Sequence, residues 1–492
     1  MAQATVEERE LLKAMTWWDG FVVALANPGF LIASLGFTIT SLGAWAIVVW
    51  GISMLIGALS AWIYSEPATM FPEKSGGISL YAHEGWKKYS SLVGPIATFG
   101  YWFAWSSVLA IFGLLIGSLI QSQWFSETTW SADIGWSTLN LAKVIGAVAI
   151  VAVWIANSFG IRPAVWAAYV TGALLMVPLA IIIIGPYLTG DFDSGLLDWD
   201  LLPGGWGSWE LILVWLYIMG WSSYGVETCA VFAPEYQDPV RDTPKALRTS
   251  SMFSLAVYIL LPLGIVGTLT GDEVADGVAG PYLVTALREV VGIGSGIGTL
   301  LLIAGLVLSM NTATMDGSRA LYGIARDGMT IRQLGVLNRY NVPARAMGVD
   351  AVVNLALLFF FDNTLGILAA GNLGYILAHA LALSAVLLLR KDRPLWPRPV
   401  RLSSPWLVIA GILCAANLLF IVVGFNSFEL TGYASAEGER WLGIANELWI
   451  GVAILLVGVA LFVYRRIAQD RQPLTWSEPA PVAPEEASRT RA

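Results

Sequence analysis

Long apolar stretches alternate with short polar connections along most of this chain, and this pattern predicts a bundle of membrane-spanning helices. A helix needs about 20 predominantly apolar residues to cross a bilayer. Twelve stretches meet this requirement, with approximate limits at 16–39, 43–66, 92–122, 138–158, 162–188, 209–234, 247–270, 296–325, 345–360, 364–389, 404–425 and 442–465. Only Phe361, Asp362 and Asn363 separate the ninth stretch from the tenth, which predicts a tight helical hairpin. We therefore expect an all-α integral membrane protein with twelve transmembrane helices in a lipid bilayer.

Small and polar residues interrupt the first and the sixth of these stretches. The first carries Ala26-Asn27-Pro28-Gly29, and the sixth carries GWSSYGVE, from Gly220 to Glu227. Because the membrane core has no water to satisfy a loosened backbone, such interruptions survive only inside protein or beside a cavity. A proline or glycine often causes only a kink in a membrane helix, but paired interruptions near the midplane are typical of binding sites in secondary transporters. Transport is therefore the first functional hypothesis.

The two interrupted stretches occupy equivalent positions, because each begins a block of five helices. An amphipathic segment follows the second helix of each block, GGISLYAHEGWKKYSS in the first and PYLVTALREVVG in the second. This correspondence predicts two inverted five-helix repeats, 16–189 and 209–390. Helices 11 and 12, within 404–465, are expected at the periphery. The remaining ends predict a cytoplasmic N-terminus, 1–15, and a disordered cytoplasmic tail, 470–492.

The basic residues define the expected orientation. Cytoplasmic loops retain Lys and Arg, and with the N-terminus inside, all but three of the 27 Lys and Arg lie on the cytoplasmic side. The exceptions are Lys143, Arg288 and Arg440. The outer loops are acidic, so the formal net charge of -8 combines a basic inner face with an acidic outer face. We expect a multi-pass protein of the plasma membrane with both termini cytoplasmic, and no nucleic-acid partner.

Composition excludes several other classes of protein. Of the 492 residues, 57% are hydrophobic and only 13% are charged, which is typical of a chain solvated by lipid. Cys229 and Cys414 lie inside apolar stretches and provide neither a disulfide framework nor a CxxC metal site. The apolar stretches contain no Ser–His pair and no HExxH motif of an intramembrane enzyme. We therefore expect neither an enzyme nor a bound cofactor.

Three stretches carry a resemblance to a known family. They are the end of helix 2, YSEPATMFPEKSGGISLYA (Tyr64 to Ala82), helix 6 with its exit (Gly220 to Leu247), and SRALYGIARDGM at the end of helix 8 (Ser318 to Met329). Their order and residues resemble the amino acid–polyamine–organocation (APC) superfamily, in its amino acid permease branch. The resemblance implies a LeuT-like fold with a 5+5 inverted repeat, broken helices 1 and 6, and two peripheral helices. It also implies a permease that moves amino acids by alternating access.

The two breaks predict the substrate site. An unwound helix exposes N–H groups at one end and carbonyls at the other, so a zwitterion can be held at both charges. We expect the N–H groups of Gly29, Phe30 and Leu31 to face a carboxylate. The carbonyls of Leu25, Ala26 and residues 221–223 would face an amine. The resemblance gives Trp221 the role of a lid. The predicted substrate-binding residues are Ala26, Asn27, Pro28, Gly29, Phe30, Tyr101, Trp105, Trp221, Ser222, Ser223 and Gly225.

Polar residues in helices 6 and 8 are candidates for coupling and gating: Glu227, Asn311, Thr314, Asp316 and Arg319. An ionisable group in a membrane helix costs about 2.5 to 3.5 kcal/mol on insertion scales, so it usually has a partner or a task. Glu227 adjoins the break and is the favoured proton-coupling residue, whereas Asp316 is either a second coupling residue or the ion-pair partner of Arg319. Thr314, with Asn311, Thr312 and helix 1 carbonyls, offers oxygen ligands for sodium, and no other metal site is expected. Sodium symport, proton coupling and exchange stay open.

Charged residues at the inner ends of helices 2, 6 and 8 predict a latch. Arg319 and Glu235 belong to this set, whose opposite charges could pair and separate as an inner gate opens. Solvated charges at helix ends are the alternative, because exposed ion pairs contribute only about 0 to 1 kcal/mol.

Departures from the family leave the substrate less defined than the transport. Helix 1 has Asn27-Pro28-Gly29 where members that carry amino acids commonly have a Gly-x-Gly run. Helix 5 has Leu175 and Met176 where some proton-coupled members have a lysine. An amino acid is the expected substrate, and a polyamine or another organic cation is the alternative. A channel, a transporter-like sensor without flux, and assembly as a homo-oligomer also stay open.

Overall fold

Helices packed side by side make up almost all of the computed structural model. It describes residues 10–479 apart from 136, 201, 203, 279, 362–363, 434–439 and 443. In this described part, nine helical spans are long and apolar enough to cross a membrane. Three further apolar helices of 17 or 18 residues bring the total to the twelve expected. The prediction of an all-α membrane protein is confirmed, whereas the Asp362-Asn363 turn and residues 1–9 and 480–492 lie outside the described residues.

The helices are numbered in chain order. They are α1 Trp17–Ala24, α2 Ala26–Leu42, α3 Trp45–Met70, α4 Gly77–Trp86, α5 Val93–Trp124, α6 Leu141–Asn157, α7 Ile161–Thr189, α8 Trp206–Ser223, α9 Pro239–Val266, α10 Gly271–Ala275, α11 Pro281–Val291, α12 Ser295–Arg326, α13 Ala344–Phe360, α14 Thr364–Asp392, α15 Ser404–Asn426 and α16 Asn446–Tyr464. Short 3₁₀ turns are Ser194–Leu196, Gly225–Ala230, Ala233–Glu235, Arg332–Gly335 and Phe428–Thr431, and Arg465–Gln469 is a π-helical turn. Two small antiparallel pairs join Ser131–Asp133 to Thr138–Asn140 and Arg440–Trp441 to Ile444–Ala445.

Two helix boundaries differ clearly from the predicted ones. The seventh span begins at Pro239 rather than at 247, because the Asp238 side chain accepts a hydrogen bond from the Arg241 N–H and proline occupies the first helical position. The sixth span was expected to continue to 234, but its α-helix ends at Ser223 and gives way to a 3₁₀ turn. Both boundaries are set by local backbone hydrogen bonding, which cannot be predicted from the hydrophobicity of the sequence.

Helix α5 lies at the centre of the bundle and packs against α12 and α14. Its crossing with α14 is very close: a methyl group on Gly374 would lie 2.3 Å from the Gly100 Cα. Only paired glycines permit such an approach, and small residues at helix crossings are typical of membrane proteins. The crossing places Tyr101 and Trp105 of α5 beside Tyr375 of α14.

The chain after the last helix is bound to the body of the protein. The Ser91 N–H and the Ser91 hydroxyl donate to the carbonyls of Trp476 and Thr475, at 2.8 and 2.7 Å. The Glu478 N–H donates to the Lys87 carbonyl at 2.7 Å. The predicted disordered tail, 470–492, is therefore ordered in its first part.

Candidate functional site

The interruption of the first span is a single residue, Leu25, whose N–H donates to the carbonyls of Phe21 and Val22. Asn27, Pro28 and Gly29 thus belong to the first turns of α2 rather than to an open break. In a helix that begins at Ala26, the N–H groups of residues 29–31 pair within the helix. The predicted donors Gly29, Phe30 and Leu31 are therefore paired within α2 in this structure.

The second interruption is larger. Helix α8 ends at Ser223, and the chain continues as the 3₁₀ turn Gly225–Ala230. The Ser222 and Ser223 hydroxyls contact the hydroxyls of Ser34 and Ser53, at 2.9 and 2.7 Å. Both predicted site serines therefore join α8 to α2 and α3, and the Ser222 carbonyl lies close to the start of α2.

Tyr258 of α9 joins the two interruptions and was not foreseen. Its hydroxyl lies 2.7 Å from the Asn27 carbonyl oxygen, 2.8 Å from Asn27 Oδ1 and 2.6 Å from the Ser222 carbonyl oxygen. A phenol has one proton to donate, so these three oxygens compete for it. Gly225 completes the junction, because a methyl group there would lie 3.1 Å from the Phe30 ring and 3.2 Å from Asn27 Oδ1.

A small cavity lies between the interruptions and α5. Its lining consists of Phe30, Ala104, Trp105, Val108, Trp221 and Tyr375. It encloses about 160 Å³ and is too narrow to hold a water molecule. The Phe30 ring lies 5.2 Å from that of Trp221 and 5.4 Å from that of Trp105, centre to centre. The Trp221 indole N–H donates to the Ala104 carbonyl at 2.9 Å, so the predicted lid is closed against α5.

Glu227 is buried directly beside this cavity. Its Oε1 accepts hydrogen bonds from the Trp105 indole at 3.1 Å and from the Tyr375 hydroxyl at 2.6 Å. Its Oε2 forms no hydrogen bond within the described part of the chain. Tyr375, which the sequence analysis did not identify, thus lines the cavity and also donates a hydrogen bond to Glu227.

Asp316 occupies a separate position between α5 and the 3₁₀ turn. Its Oδ1 accepts from the Tyr101 hydroxyl at 2.9 Å and from the Thr228 hydroxyl at 2.7 Å. Tyr101 therefore bonds to Asp316 and is absent from the cavity lining, where it had been predicted as a wall residue. Trp105 does line the cavity, and its contact with substrate stays a prediction.

The ion pair between Asp316 and Arg319, one of the two roles considered for this acid, is not formed among the described residues. Arg319 bonds instead to Glu235, with Nε–Oε1 at 2.6 Å and Nη2–Oε2 at 3.0 Å. Both side chains are about 1% exposed, so this pair is not the solvated alternative considered from the sequence. A bidentate guanidinium–carboxylate pair of this kind is favoured over a single-bonded one, and it fixes the C-terminal part of α12 to the chain that follows the sixth span.

The predicted sodium ligands do not converge. The Thr314 hydroxyl donates to Met310 of its own helix at 2.9 Å, and the Asn311 amide donates to the Ala164 carbonyl at 2.9 Å. The contacts with helix 1 carbonyls come instead from Ser309, at 3.1 Å from the Ala26 oxygen, and from Thr312, at 3.0 Å from the Val23 oxygen. Of the three predicted ligands, Thr312 is the one whose hydroxyl contacts a helix 1 carbonyl in this structure, and the sodium site stays a prediction.

A charged cluster lies on the loop side of α4. Lys74 Nζ lies 2.8 Å from Glu84 and 3.0 Å from Asp327. Although burial alone raises the pKa of Glu84, the ammonium of Lys74 and its basic neighbours hold that pKa well below its usual range. Burial lowers the pKa of His83 to about 4. His83, Glu84 and Asp327 lie close enough together to hold a metal ion, but Lys74 already supplies the positive charge.

Known proteins resemble this chain along most of its length. A model of the amino acid permease family matches residues 15–467. An uncharacterised transporter of Mycobacterium tuberculosis is 24% identical over 473 residues, which cover 94% of this chain and 93% of that protein. An amino acid permease of Bacillus subtilis is 26% identical and covers 69% of this chain and 72% of its own length. A putative arginine/ornithine antiporter of Escherichia coli is 26% identical over 59% of this chain and 57% of its own.

Proposed function

The chain belongs to the amino acid permease family of the APC superfamily, and on this premise we propose that it moves amino acids across the plasma membrane by alternating access. Its family makes it a multi-pass membrane transporter of amino acids or related substrates and not an enzyme. The proposal adds the mechanism, the substrate and the site. It includes the two repeats, 16–189 and 209–390, and cytoplasmic termini.

One observation carries the proposal: the helices that adjoin the two interruptions, α2 and α8, line a narrow aromatic cavity with α5 and α14. Because this cavity is too narrow for water, any substrate must displace side chains to enter it. We propose that Trp221 and Phe30 form the part of the wall that moves, because both lie next to an interruption. Trp221 lies near the end of α8, and Phe30 lies near the start of α2. A site that closes completely around its occupant is what alternating access requires.

The polar groups around the cavity suit an ammonium. Glu227 Oε2 is an acceptor without a partner in the described residues, and the carbonyls of Asn27 and Ser222 lie at the junction of the interruptions. The faces of Trp221 and Trp105 can add cation–π attraction, worth about 2 kcal/mol when desolvated. The first-turn N–H groups of Ala26 and Asn27 are donors for a carboxylate.

Coupling is proposed to run through Glu227. In this closed state its free oxygen has no cationic partner among the described residues, which favours the neutral acid. Arrival of a substrate ammonium would favour the ionised form, so that substrate and proton compete. Asp316 is the second candidate for this role. Sodium is the alternative coupling ion, with the Ser309 and Thr312 hydroxyls and the helix 1 carbonyls as ligands.

The deciding experiment is counterflow in proteoliposomes. Vesicles loaded with one unlabelled amino acid at a time would be tested for accumulation of the same labelled amino acid, with and without sodium and a pH gradient. Accumulation that saturates supports the permease, and dependence on one ion identifies the coupling. Conductance without saturation would establish a channel instead. Saturable binding without any flux would establish a sensor.

An amine or polyamine is the second candidate substrate. It is favoured by Glu227 beside the cavity and by Asp316 in its separate position, each with one oxygen unpartnered among the described residues. The same counterflow experiment with putrescine and agmatine in place of amino acids separates the two. Exchange of an amine but of no amino acid would replace the proposed substrate and keep the mechanism.

A further inference from the structure

Asp350 is a buried acid that the proposed site does not use. It lies on α13, is fully buried, and is not among the residues that line the cavity. It is six residues from Ala344, so it lies about 9 Å along α13 from that end. An acid at this depth in a membrane span usually has a partner or a task.

One of the two carboxyl oxygens of Asp350 has no hydrogen-bond partner among the described residues. Oδ1 accepts a hydrogen bond from the Trp102 indole of α5, and the Ser106 hydroxyl of α5 also lies near this carboxyl group. Oδ2 is buried and forms no hydrogen bond within the described part of the chain. An ionised carboxylate would leave this oxygen charged and unsolvated, whereas a protonated one carries the hydrogen there.

Charged groups on the neighbouring elements serve other partners. Helix α13 packs against α5, α6, α12 and the Arg332–Gly335 turn. On these elements Tyr101 bonds to Asp316, Arg319 bonds to Glu235, Lys143 lies 3.4 Å from the Phe359 carbonyl, and Arg332 bonds to Asp470. No ion pair to Asp350 forms within the described residues. Burying an unpaired charge costs several kcal/mol, so the neutral acid is favoured here.

Asp350 is nevertheless connected to the moving parts of the site. Trp102 lies one helical turn from Trp105, the residue that bonds to Glu227. A methyl group on Gly317 of α12 would lie 3.4 Å from the Trp102 ring and 3.7 Å from Asp350 Oδ1. The acid therefore sits where α5, α12 and α13 meet, and a shift of α12 and α13 away from α5 would expose it to water.

We propose that Asp350 is a second proton-binding site, separate from the substrate cavity, which holds a proton in the closed state. The proton resides on Oδ2. When α12 and α13 separate from α5, the O–H bond breaks, the proton passes to water at the Ala344 end of α13, and the carboxylate is solvated. Closing reverses the step and takes a proton from that side. The coupling of this proton to transport rests on the proposed function, but its presence in the closed protein does not.

The first test is infrared spectroscopy of the purified protein at neutral pH. Wild type minus Asp350→Asn should contain the C=O band of a protonated carboxyl group, because the amide cannot contribute it. The matched control is Glu73→Gln, an acid with a 63% exposed side chain, whose difference spectrum should lack that band. Asparagine keeps an acceptor for Trp102, so the variant is expected to fold. A difference spectrum that shows only an ionised carboxylate would overturn the proposal, whether or not the protein transports.

The second test is the pH dependence of counterflow. If closing takes up one proton at Glu227 and one at Asp350, the rate falls by up to about a hundredfold per pH unit on the alkaline side, since each proton contributes up to tenfold. Asp350→Asn should reduce this limit to about tenfold. A pH profile identical to that of wild type would assign Asp350 a packing role only. If the wild type moves no substrate, the proposed function fails, and the infrared test still decides the state of Asp350.

Discussion

Trp105 and Trp102 lie three residues apart on α5, and each donates its indole N–H to a buried acid. The surroundings of the two acids differ. Glu227 has a second donor, Tyr375, and borders the cavity, whereas Asp350 faces packed helices. Under the proposals made above, the same donor serves two purposes: the acid beside the cavity binds the substrate ammonium, and the acid between helices responds to how closely those helices pack. We call these the cavity pair, Trp105–Glu227, and the packed pair, Trp102–Asp350.

Removing the lid should produce the largest difference between the two pairs. Trp221→Ala deletes the ring that closes over the cavity and contacts Phe30. We expect counterflow to fall by about tenfold or more, since a large aromatic contact and the closed state are lost together. The infrared band of Asp350 should persist. Wild-type uptake kinetics in this variant would remove Trp221 from the site.

Neutralising each acid should separate affinity from pH dependence. Glu227→Gln should raise the KM for substrate by about tenfold, because a charged partner of the ammonium is lost, and should also flatten the pH profile. Asp350→Asn should flatten the profile with an unchanged KM. These constants are obtained from initial rates of exchange at several pH values. A raised KM in Asp350→Asn would contradict the separation of the two pairs, and an unchanged profile in Glu227→Gln would move the coupling to Asp316.

Removing each indole donor should act on different properties. Trp102→Phe deprives Asp350 of its hydrogen bond inside packed protein, so we expect a loss of about 1 to 3 kcal/mol in stability. Trp105→Phe should cost less, because Tyr375 still donates to Glu227. Thermal unfolding in detergent compares the two. An equal loss of stability in Trp102→Phe and Trp105→Phe would show that the cavity pair depends on its indole hydrogen bond as much as the packed pair does.

The smallest effects are expected at two glycines. A methyl group at Gly225 would lie 3.1 Å from the Phe30 ring, whereas one at Gly317 finds its nearest neighbour at 3.4 Å, an ordinary contact. Gly225→Ala should therefore slow exchange a few-fold by holding the interruptions apart, and Gly317→Ala should change it little. Transport rates at matched expression decide the point. The reverse ranking would place the moving wall at α12 rather than at α2.

The features that could be predicted from the sequence are those that differ from the residues around them in the chain. Glu227 and the interruption near Ser223 stand out because polar and small residues are unusual in an apolar stretch, whereas the lid role of Trp221 came from the family resemblance. The twelve spans follow from hydrophobicity in the same way. These predictions needed no knowledge of how the helices pack.

Partners distant in the chain could not be predicted. Tyr375 and Tyr258 reach the site from α14 and α9, and neither lies in an unusual local sequence. Proximity also misled: Arg319 is near Asp316 in the sequence, yet it pairs with Glu235. The break in the first span is reduced to Leu25 because the backbone on both sides keeps its helical hydrogen bonds, a property that Pro28 and Gly29 did not reveal.

The ordered tail has a practical consequence for handling the protein. Thr475 and Trp476 are bonded to Ser91, two residues before α5 begins, and α5 carries both indoles. If the chain were truncated before Thr475 to attach a purification tag, both hydrogen bonds from Ser91 would be lost. A tag placed after residue 492 keeps these bonds. The difference in thermal stability between the two proteins would measure how much residues 475–478 stabilise the transporter.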